Sequence, residues 1–235
     1  MCAQIGHGYG SEFQLLRFLG HHRHELESII SNTIGEDGVY NWLDFGYVDQ
    51  REVKSGDREI VALNFLRELI PEQKYNEVIA KYHSYNIGNS DSWQNWDAVF
   101  VLNGCIYFVE AKAHVEEMSG NKTGNGGGSK DAIMKYFTEQ LPQCNITEEW
   151  LKEYYQLANR LATTALLNNH GVKARTLYIY FENGYNDPDE PKNAVKSDYL
   201  EAIEKEYLAL GITESEVSQL LAPPVFINAN PTQRK

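Results

Sequence analysis

The feature that most restricts how this chain can fold is an Asn-Gly pair between two short apolar segments. Asn103-Gly104 separates the segment 97–102 from the segment 105–112. Asn-Gly is a preferred two-residue turn of β-hairpins, because both residues readily adopt positive φ angles. The sequence therefore predicts an antiparallel hairpin in which Leu102 is paired with Cys105.

The turn also determines which side chains of the two strands face each other. Counting outward from it gives these opposed pairs: Val101 with Ile106, Val99 with Phe108, and Asp97 with Glu110. Opposed residues have Cβ atoms roughly 4.5–5.5 Å apart on one side of a sheet. Lys112 lies on the side of Glu110 because side chains alternate along a strand, and His114 extends the row if the strand continues. The register therefore predicts two carboxylates and an amine close together at the open end of the hairpin.

Apart from these charged residues, both faces of the hairpin are apolar. The carboxylate side carries Val99, Val101, Ile106 and Phe108, and the other side carries Ala98, Phe100, Leu102, Tyr107, Val109 and Ala111. Such strands are covered on both sides, which predicts helices on both faces of the sheet. Two opposed carboxylates in apolar surroundings repel each other and lose hydration, so at least one pKa rises unless a cation lies between them. An oxygen-only ligand set suits Mg²⁺ or Mn²⁺ better than Zn²⁺.

Two interpretations of this cluster remain open at the level of sequence. In the first, a divalent ion polarises a phosphodiester, and Lys112 orients the attacking water or offsets charge in the transition state. In the second, the Glu-x-Lys triplet is a structural ion pair at the end of a strand. The hairpin register favours the first interpretation.

Asp97, followed by Glu110-Ala111-Lys112 at the end of the next strand, resembles the PD-(D/E)XK nuclease superfamily. The likeness extends to a branch of that superfamily through three segments: Trp93-Gln94-Asn95-Trp96-Asp97, Glu110-Ala111-Lys112-Ala113-His114 and Tyr154-Tyr155-Gln156-Leu157-Ala158-Asn159-Arg160-Leu161. It spans residues 10 to 182, and Trp96 stands where the name-giving proline would be.

The resemblance implies an α/β fold of the restriction-endonuclease-like kind, with a central mixed β-sheet flanked by helices on both faces. It implies a Mg²⁺ or Mn²⁺ site held by Asp97, Glu110 and the backbone carbonyl of Ala111, with Lys112 as a catalytic residue. A first helix that supplies a glutamate is also characteristic of the superfamily. By position we assign that role to Glu12.

The first helix is expected to begin at Ser11, where Ser11 and Gln14 have the spacing of a capping box. The apolar stripe that follows places Glu12 on the core-facing side, where it could complete the metal shell. The alternative is an ordinary first-turn carboxylate favoured by the helix dipole.

Gln156, Asn159 and Arg160 share one face of a later helix at spacings of three and four residues. They are candidates to bind a phosphate or to brace the site, and a polar face on a packed helix is the alternative. For His114 the choice between a supporting role and a simple strand end stays open.

Helical patterns are expected over 60–70, 75–82, 131–141, 148–169, 198–210 and 214–221, and strands over 176–182 and 225–228. The glycine-rich segment 119–130 and the acidic segment 186–191 are expected to be loops. The chain has 235 residues, of which 42% are hydrophobic. This is enough for one substantial core, so we expect residues 1–235 to form a single domain.

The chain shows no signal peptide, no membrane-spanning run and no paired cysteines, so we expect a cytoplasmic protein without a membrane partner, a disulfide framework or a thiolate zinc site. Its formal net charge of −12 argues against general electrostatic attraction to a polyanion. A bound divalent cation can reverse the field locally.

These observations favour a metal-dependent nuclease that acts on DNA, with RNA as a possible substrate. The main alternative is a catalytically silent domain of the same fold that binds nucleic acid or a protein partner, and the net charge of −12 favours the protein. A third interpretation is a subunit that cuts only when a partner delivers the substrate. Whether the chain forms a homo-oligomer is left open.

Overall fold

A five-stranded mixed β-sheet forms the centre of the protein in the computed structural model, which describes residues 10–43, 60–87, 94–119, 130–184 and 193–229. The strands are β1 (Asn41–Trp42), β2 (Ile60–Val61), β3 (Asn95–Trp96), β4 (Ala98–Leu102), β5 (Cys105–Lys112), β6 (Ala174–Glu182) and β7 (Val225–Asn228). The central sheet has the order β1-β4-β5-β6-β7, and β2 pairs separately with β3. In this sheet β4 is antiparallel to both β1 and β5. The pairs β5-β6 and β6-β7 are parallel. The expected mixed sheet is therefore present.

The hairpin of β4 and β5 has the register expected from its turn. Leu102 pairs with Cys105, and the ladder continues in step as far as Ala98 with Val109. Asn103 and Gly104 have φ angles of 49° and 75°, as an Asn-Gly hairpin turn requires. Asp97 lies one residue before β4 and so just outside this ladder.

Helices cover both faces of the sheet, as the apolar character of its strands predicts. They are α1 (Gly10–His21), α2 (Arg23–Ile34), α3 (Glu72–His83), α4 (Lys130–Gln140), α5 (Tyr155–Asn169), α6 (Lys196–Leu210) and α7 (Glu214–Val217). Side chains of α1 and α2 share a buried cluster with Ala98, Phe100 and Ala111. Side chains of α3 to α7 share another with Val99, Ile106 and Phe108. The two faces of the hairpin thus belong to two separate cores.

Four helical expectations need correction. The pattern of residues 60–70 predicts a helix, but this segment forms β2 and a 3-10 helix at Asn64–Glu68. Ile60 pairs with Trp96, and the left-handed φ of 55° at Ala62 interrupts any helix there. The stripe that begins at Ser11 is divided at His22 into α1 and α2, so it is two helices.

The third correction concerns residues 148–169. This segment begins as a 3-10 helix at Glu148–Leu151, and the α-helix starts only at Tyr155. The hydroxyl of Thr147 accepts a hydrogen bond from the Glu149 N–H at 3.4 Å, so this threonine caps the 3-10 helix. The helix expected over 214–221 is also shorter, since α7 ends at Val217.

The remaining elements lie where the sequence predicts them, with ends that differ by a few residues. They are α3, α4, α6, β6 and β7. The expected loop over 186–191 lies outside the described residues, as does all but the ends of the expected loop over 119–130. Among the residues that the structure describes, no helix has both the length and the apolar character needed to cross a membrane.

The hairpin turn can be tested with two matched glycine substitutions. A Cβ added at Gly104 or at Gly20 would meet no neighbouring atom within 4 Å, but only Gly104 has a positive φ, of 75°. We expect Gly104→Ala to lower the free energy of unfolding by about 1 kcal/mol, because an L-residue is strained in that conformation. Gly20→Ala, inside α1, should raise the free energy of unfolding by about 0.5 kcal/mol. Urea denaturation measures both, and equal effects would contradict the role assigned to the turn.

Candidate functional site

The carboxylate of Glu110 lies at the centre of a buried polar cluster. Glu110 is in β5 with 2% of its surface exposed. Its Oε1 accepts hydrogen bonds from Lys112 Nζ and Gln156 Nε2, both at 2.7 Å. Its Oε2 is 3.0 Å from both Nε and Nη2 of Arg160. Both oxygens of Glu110 are therefore fully engaged by side chains of β5 and α5.

Electrostatics keep the three charged members of this cluster ionised. Burial alone would raise the pKa of Glu110, but the charges of Lys112 and Arg160 outweigh burial and hold that pKa below its ordinary value. Burial likewise opposes the charge on Lys112, yet the carboxylates of Glu110 and Asp97 raise its pKa. Arg160 follows the same pattern, with Glu110 as its principal partner.

Asp97 joins this cluster through the backbone of β5. Its Oδ2 accepts a hydrogen bond from the Ala111 N–H at 2.7 Å. Ala111 stands between Glu110 and Lys112 in the chain. Asp97 is half-buried, and its charge contributes to the raised pKa of Lys112. The structure thus brings Asp97, Glu110 and Lys112 together at the open end of the hairpin.

The three polar residues of α5 have two different sets of partners. Gln156 bridges the ion pair, because its Nε2 donates to Glu110 and its Oε1 accepts from Lys112 Nζ at 2.8 Å. Arg160 also binds Glu110, as described above. Asn159 instead accepts a hydrogen bond from Gln94 Nε2 at 2.9 Å, and the same nitrogen also donates to Thr163. Asn159 therefore braces the segment that leads to Asp97.

The sequence predicts Glu12 on the core-facing side of α1, and this prediction is wrong. Glu12 is exposed, and the buried polar residue of α1 is Gln14, whose amide donates to the Gly184 carbonyl at 3.2 Å. The helix already begins at Gly10, and its first buried residue is Gln14. Its first turn therefore lies outside the core. The core side chains of α1 pack on the face of the sheet that carries Ala111, opposite the face of Glu110. A role for Glu12 at the site stays a prediction.

His114 lies beyond the end of β5, which stops at Lys112. Its side chain is buried, and its Nδ1 accepts a hydrogen bond from the Glu116 N–H at 3.1 Å. This contact caps the 3-10 helix Val115–Met118. The row of side chains on the strand therefore ends at Lys112, and His114 terminates the strand.

Sequence reasoning missed a further buried carboxyl group, Glu206 on α6. Only 4% of its surface is exposed. Burial raises the pKa of Glu206 to about 8, and the neighbouring charge of Lys112 counters that rise only in part. The signal was present in the helical pattern, because Glu206 falls on the buried stripe of α6 between Tyr199 and Leu210. A carboxyl group that titrates near neutral pH therefore lies within electrostatic reach of the same cluster.

The donor atoms can be compared with the needs of a Mg²⁺ or Mn²⁺ ion. Two carboxylates and a backbone carbonyl are the oxygen donors that such ions prefer, so Asp97, Glu110 and Ala111 fit in kind. An ion on Glu110 must take the position of one of its donors, because Oε1 already accepts from Lys112 and Gln156 and Oε2 lies 3.0 Å from two nitrogens of Arg160. Within the described ranges, no three His, Cys, Asp or Glu side chains are grouped closely enough to hold a metal ion.

Comparison of the chain with protein-family models, with curated proteins and with solved structures gave no match.

The buried carboxyl of Glu206 predicts how stability depends on pH. Its pKa is about 8 in the folded protein against an ordinary value of 4.5, so the folded state holds this proton more tightly than the unfolded state. The stability contributed by the protonated group is complete below pH 4.5 and is lost as the pH rises to about 8. Glu206→Gln cannot ionise and should lose less stability over this range, by roughly 5 kcal/mol.

Urea denaturation at several pH values measures this difference. Glu201→Gln is the matched control, because Glu201 is an exposed residue of the same helix. Its stability curve should run parallel to that of the unmodified protein between pH 4.5 and 8, lowered only slightly through loss of the ion pair with Lys205. Parallel curves for Glu206→Gln and the unmodified protein would contradict the assignment of a raised pKa to Glu206.

Proposed function

We propose that this chain is a metal-dependent nuclease of the PD-(D/E)XK type that hydrolyses phosphodiester bonds in DNA. The observation that carries the proposal is the meeting of Asp97, Glu110 and Lys112 at the open end of one hairpin, with Asp97 bound to the Ala111 N–H. The mixed sheet with helices on both faces is compatible with a restriction-endonuclease-like core.

The charges of the cluster support binding of a phosphate despite the net charge of −12. The carboxylates of Asp97 and Glu110 are balanced by the cations of Lys112 and Arg160. With Glu206 largely protonated below pH 8, the cluster is close to neutral by itself. A divalent ion would then give it a net positive charge facing the substrate.

In this proposal Asp97, Glu110 and the Ala111 carbonyl hold the ion, which supplies Lewis-acid activation of the phosphodiester and of water when it is bound. Lys112 keeps its charge because the carboxylates of Glu110 and Asp97 raise its pKa against burial, and Glu110 and Gln156 fix the position of its Nζ. A charged amine in a fixed position stabilises the negative charge that develops on the phosphate in the transition state. Arg160 can stabilise the same charge through its fork of donors.

One observation favours the second candidate function, a silent domain that binds nucleic acid or a protein. Within the part of the chain that the structure describes, the hydrogen bonds to the Glu110 carboxylate come from Lys112, Gln156 and Arg160, which is also the arrangement of a purely structural ion cluster. In that case a protein partner fits the net charge of −12 better than a polyanion does. A nuclease that depends on a partner for substrate delivery would have the same site and the same acidic surface.

The proposal predicts DNA cleavage that requires both a divalent ion and Asp97. Plasmid, single-stranded DNA and RNA are incubated with Mg²⁺ or Mn²⁺, and with a chelator instead. Asp97→Asn keeps an oxygen acceptor for the Ala111 N–H but removes the charge, so it should fold normally and cut DNA on the order of 100-fold more slowly. Glu201→Gln, on the exposed side of α6, should cut at the unmodified rate. Cleavage that continues in the presence of the chelator, or at the unmodified rate in Asp97→Asn, would refute the catalytic assignment.

Calorimetry with Mn²⁺, combined with the cleavage assay, separates the three functions. A nuclease binds Mn²⁺, loses that binding in Asp97→Asn and cuts DNA alone. A partner-dependent nuclease shows the same Mn²⁺ binding without cleavage. A silent domain shows neither binding nor cleavage, and this result would overturn the proposal.

A further inference from the structure

Trp96 occupies a fixed position directly before Asp97. It is fully buried, and its indole N–H donates to the Ala62 carbonyl at 3.0 Å. The Ala62 N–H in turn donates to the Gln94 carbonyl at 2.7 Å. Ala62 is held at a φ of 55°, a conformation that L-residues adopt only when the surrounding structure demands it. The indole is therefore anchored through both its ring and its N–H.

The indole also lies against the guanidinium group of Arg160. The Arg160 Cζ is 4.5 Å from the centroid of the Trp96 ring, and the same ring stacks on Phe108 at 4.2 Å. Cation–π contacts of this kind are strongest when both groups are desolvated, as they are here. The contact restricts the guanidinium to the surface of the ring.

A third anchor for Arg160 comes from the residue beside Trp96. The Arg160 Nη2 donates to the Asn95 carbonyl at 2.6 Å. Asn95, Trp96 and Asp97 are consecutive, so one short segment carries the carbonyl, the ring and a carboxylate of the site. Two of the three anchors of Arg160 are thus independent of Glu110.

We infer that Trp96 is a positioning residue that holds the Arg160 guanidinium beside Glu110. The ring holds the guanidinium carbon 4.5 Å from its centroid, and the Asn95 carbonyl holds Nη2 at 2.6 Å. If Glu110 turns to a metal ion, Arg160 keeps both of these contacts and remains at the site as a fixed cation. This last step rests on the proposed nuclease function, whereas the positioning itself does not.

The positioning is tested first without substrate, by NMR of the Arg160 Nε–H. The signal is assigned by its loss in Arg160→Lys. In the unmodified protein it should be displaced by the ring current of Trp96 and should exchange slowly with water. Trp96→Phe keeps an aromatic face and should keep both properties, whereas in Trp96→Met the proton should exchange about 10-fold faster or more.

Trp150→Met is the matched control. Trp150 is also fully buried, and its indole N–H also donates to a backbone carbonyl, that of Leu210, at 3.0 Å. Trp150→Met loses the same side-chain volume and the same type of hydrogen bond as Trp96→Met. It leaves the Trp96 ring in place, so it should leave the Arg160 signal unchanged. An unchanged signal in Trp96→Met, or an equal loss in Trp96→Phe and Trp96→Met, would overturn the inference.

A second measurement applies if Trp96→Met does not fold. The chain has 4 tryptophans, so incorporation of 5-fluorotryptophan gives four ¹⁹F signals. Trp96→Phe identifies the signal of Trp96. Arg160→Lys should shift this signal more than that of Trp42 or Trp150, and no shift would overturn the inference.

Cleavage assays then test the consequence for catalysis. Trp96→Met and Arg160→Lys should each lower kcat, and the double variant should be no slower than the slower single variant, because both changes disturb the same group. Trp96→Phe should restore most of the rate. Losses that multiply would show that Trp96 acts through packing alone. If the chain cuts no nucleic acid under any condition, the nuclease proposal fails while the NMR result still decides the role of Trp96.

Discussion

The buried carboxylate of Glu110 is the interaction on which the rest of the structure depends. An unpaired charge in this position would be strongly destabilising, and removing one partner of such a buried pair typically costs about 3–5 kcal/mol. Its partners come from β5 itself and from α5, and Arg160 extends the connection to the Asn95 carbonyl. The central hairpin, the segment before Asp97 and the long helix α5 are therefore held in register by one set of ionic hydrogen bonds. The same contacts fix the side chains of Lys112, Gln156 and Arg160 at the candidate site.

This arrangement changes the argument for a metal ion. From the sequence, two opposed carboxylates in apolar surroundings call for a cation between them, and a divalent ion is the obvious choice. In the structure Lys112 and Arg160 supply that positive charge, and the pKa of Glu110 lies below its ordinary value. The fold therefore needs no metal ion to balance Glu110. Metal dependence, where it exists, belongs to the chemistry alone, so metal binding and folding can be measured separately.

Local rules were sufficient for the hairpin, because a two-residue turn and the alternation of side chains fix its register within a few residues. They also placed Gln156 and Arg160 on the correct face of α5.

These local rules failed where distant partners decide the outcome. Residues 60–70 have a helical pattern, but Ile60 pairs with Trp96, far along the chain. The helical pattern places Glu206 on the buried stripe of α6, but only the packing of that helix brings it near the cluster. For Glu12 the pattern gave the wrong side of α1 because its first turn extends beyond the core.

Under the proposed PD-(D/E)XK assignment, Trp96 stands where the name-giving proline would be, so its contacts decide how the segment before Asp97 is supported. A proline at this position would fix the backbone before Asp97 through its ring but would offer no N–H and no aromatic face. Trp96 fixes the same backbone through its bond to the Ala62 carbonyl and adds a surface for Arg160. Because Arg160 also binds Glu110, the Trp96 ring couples the segment before Asp97 to α5. The position before Asp97 is thus held by contacts to two distant segments, the Ala62 carbonyl and the Arg160 guanidinium on α5, which a proline ring could not make.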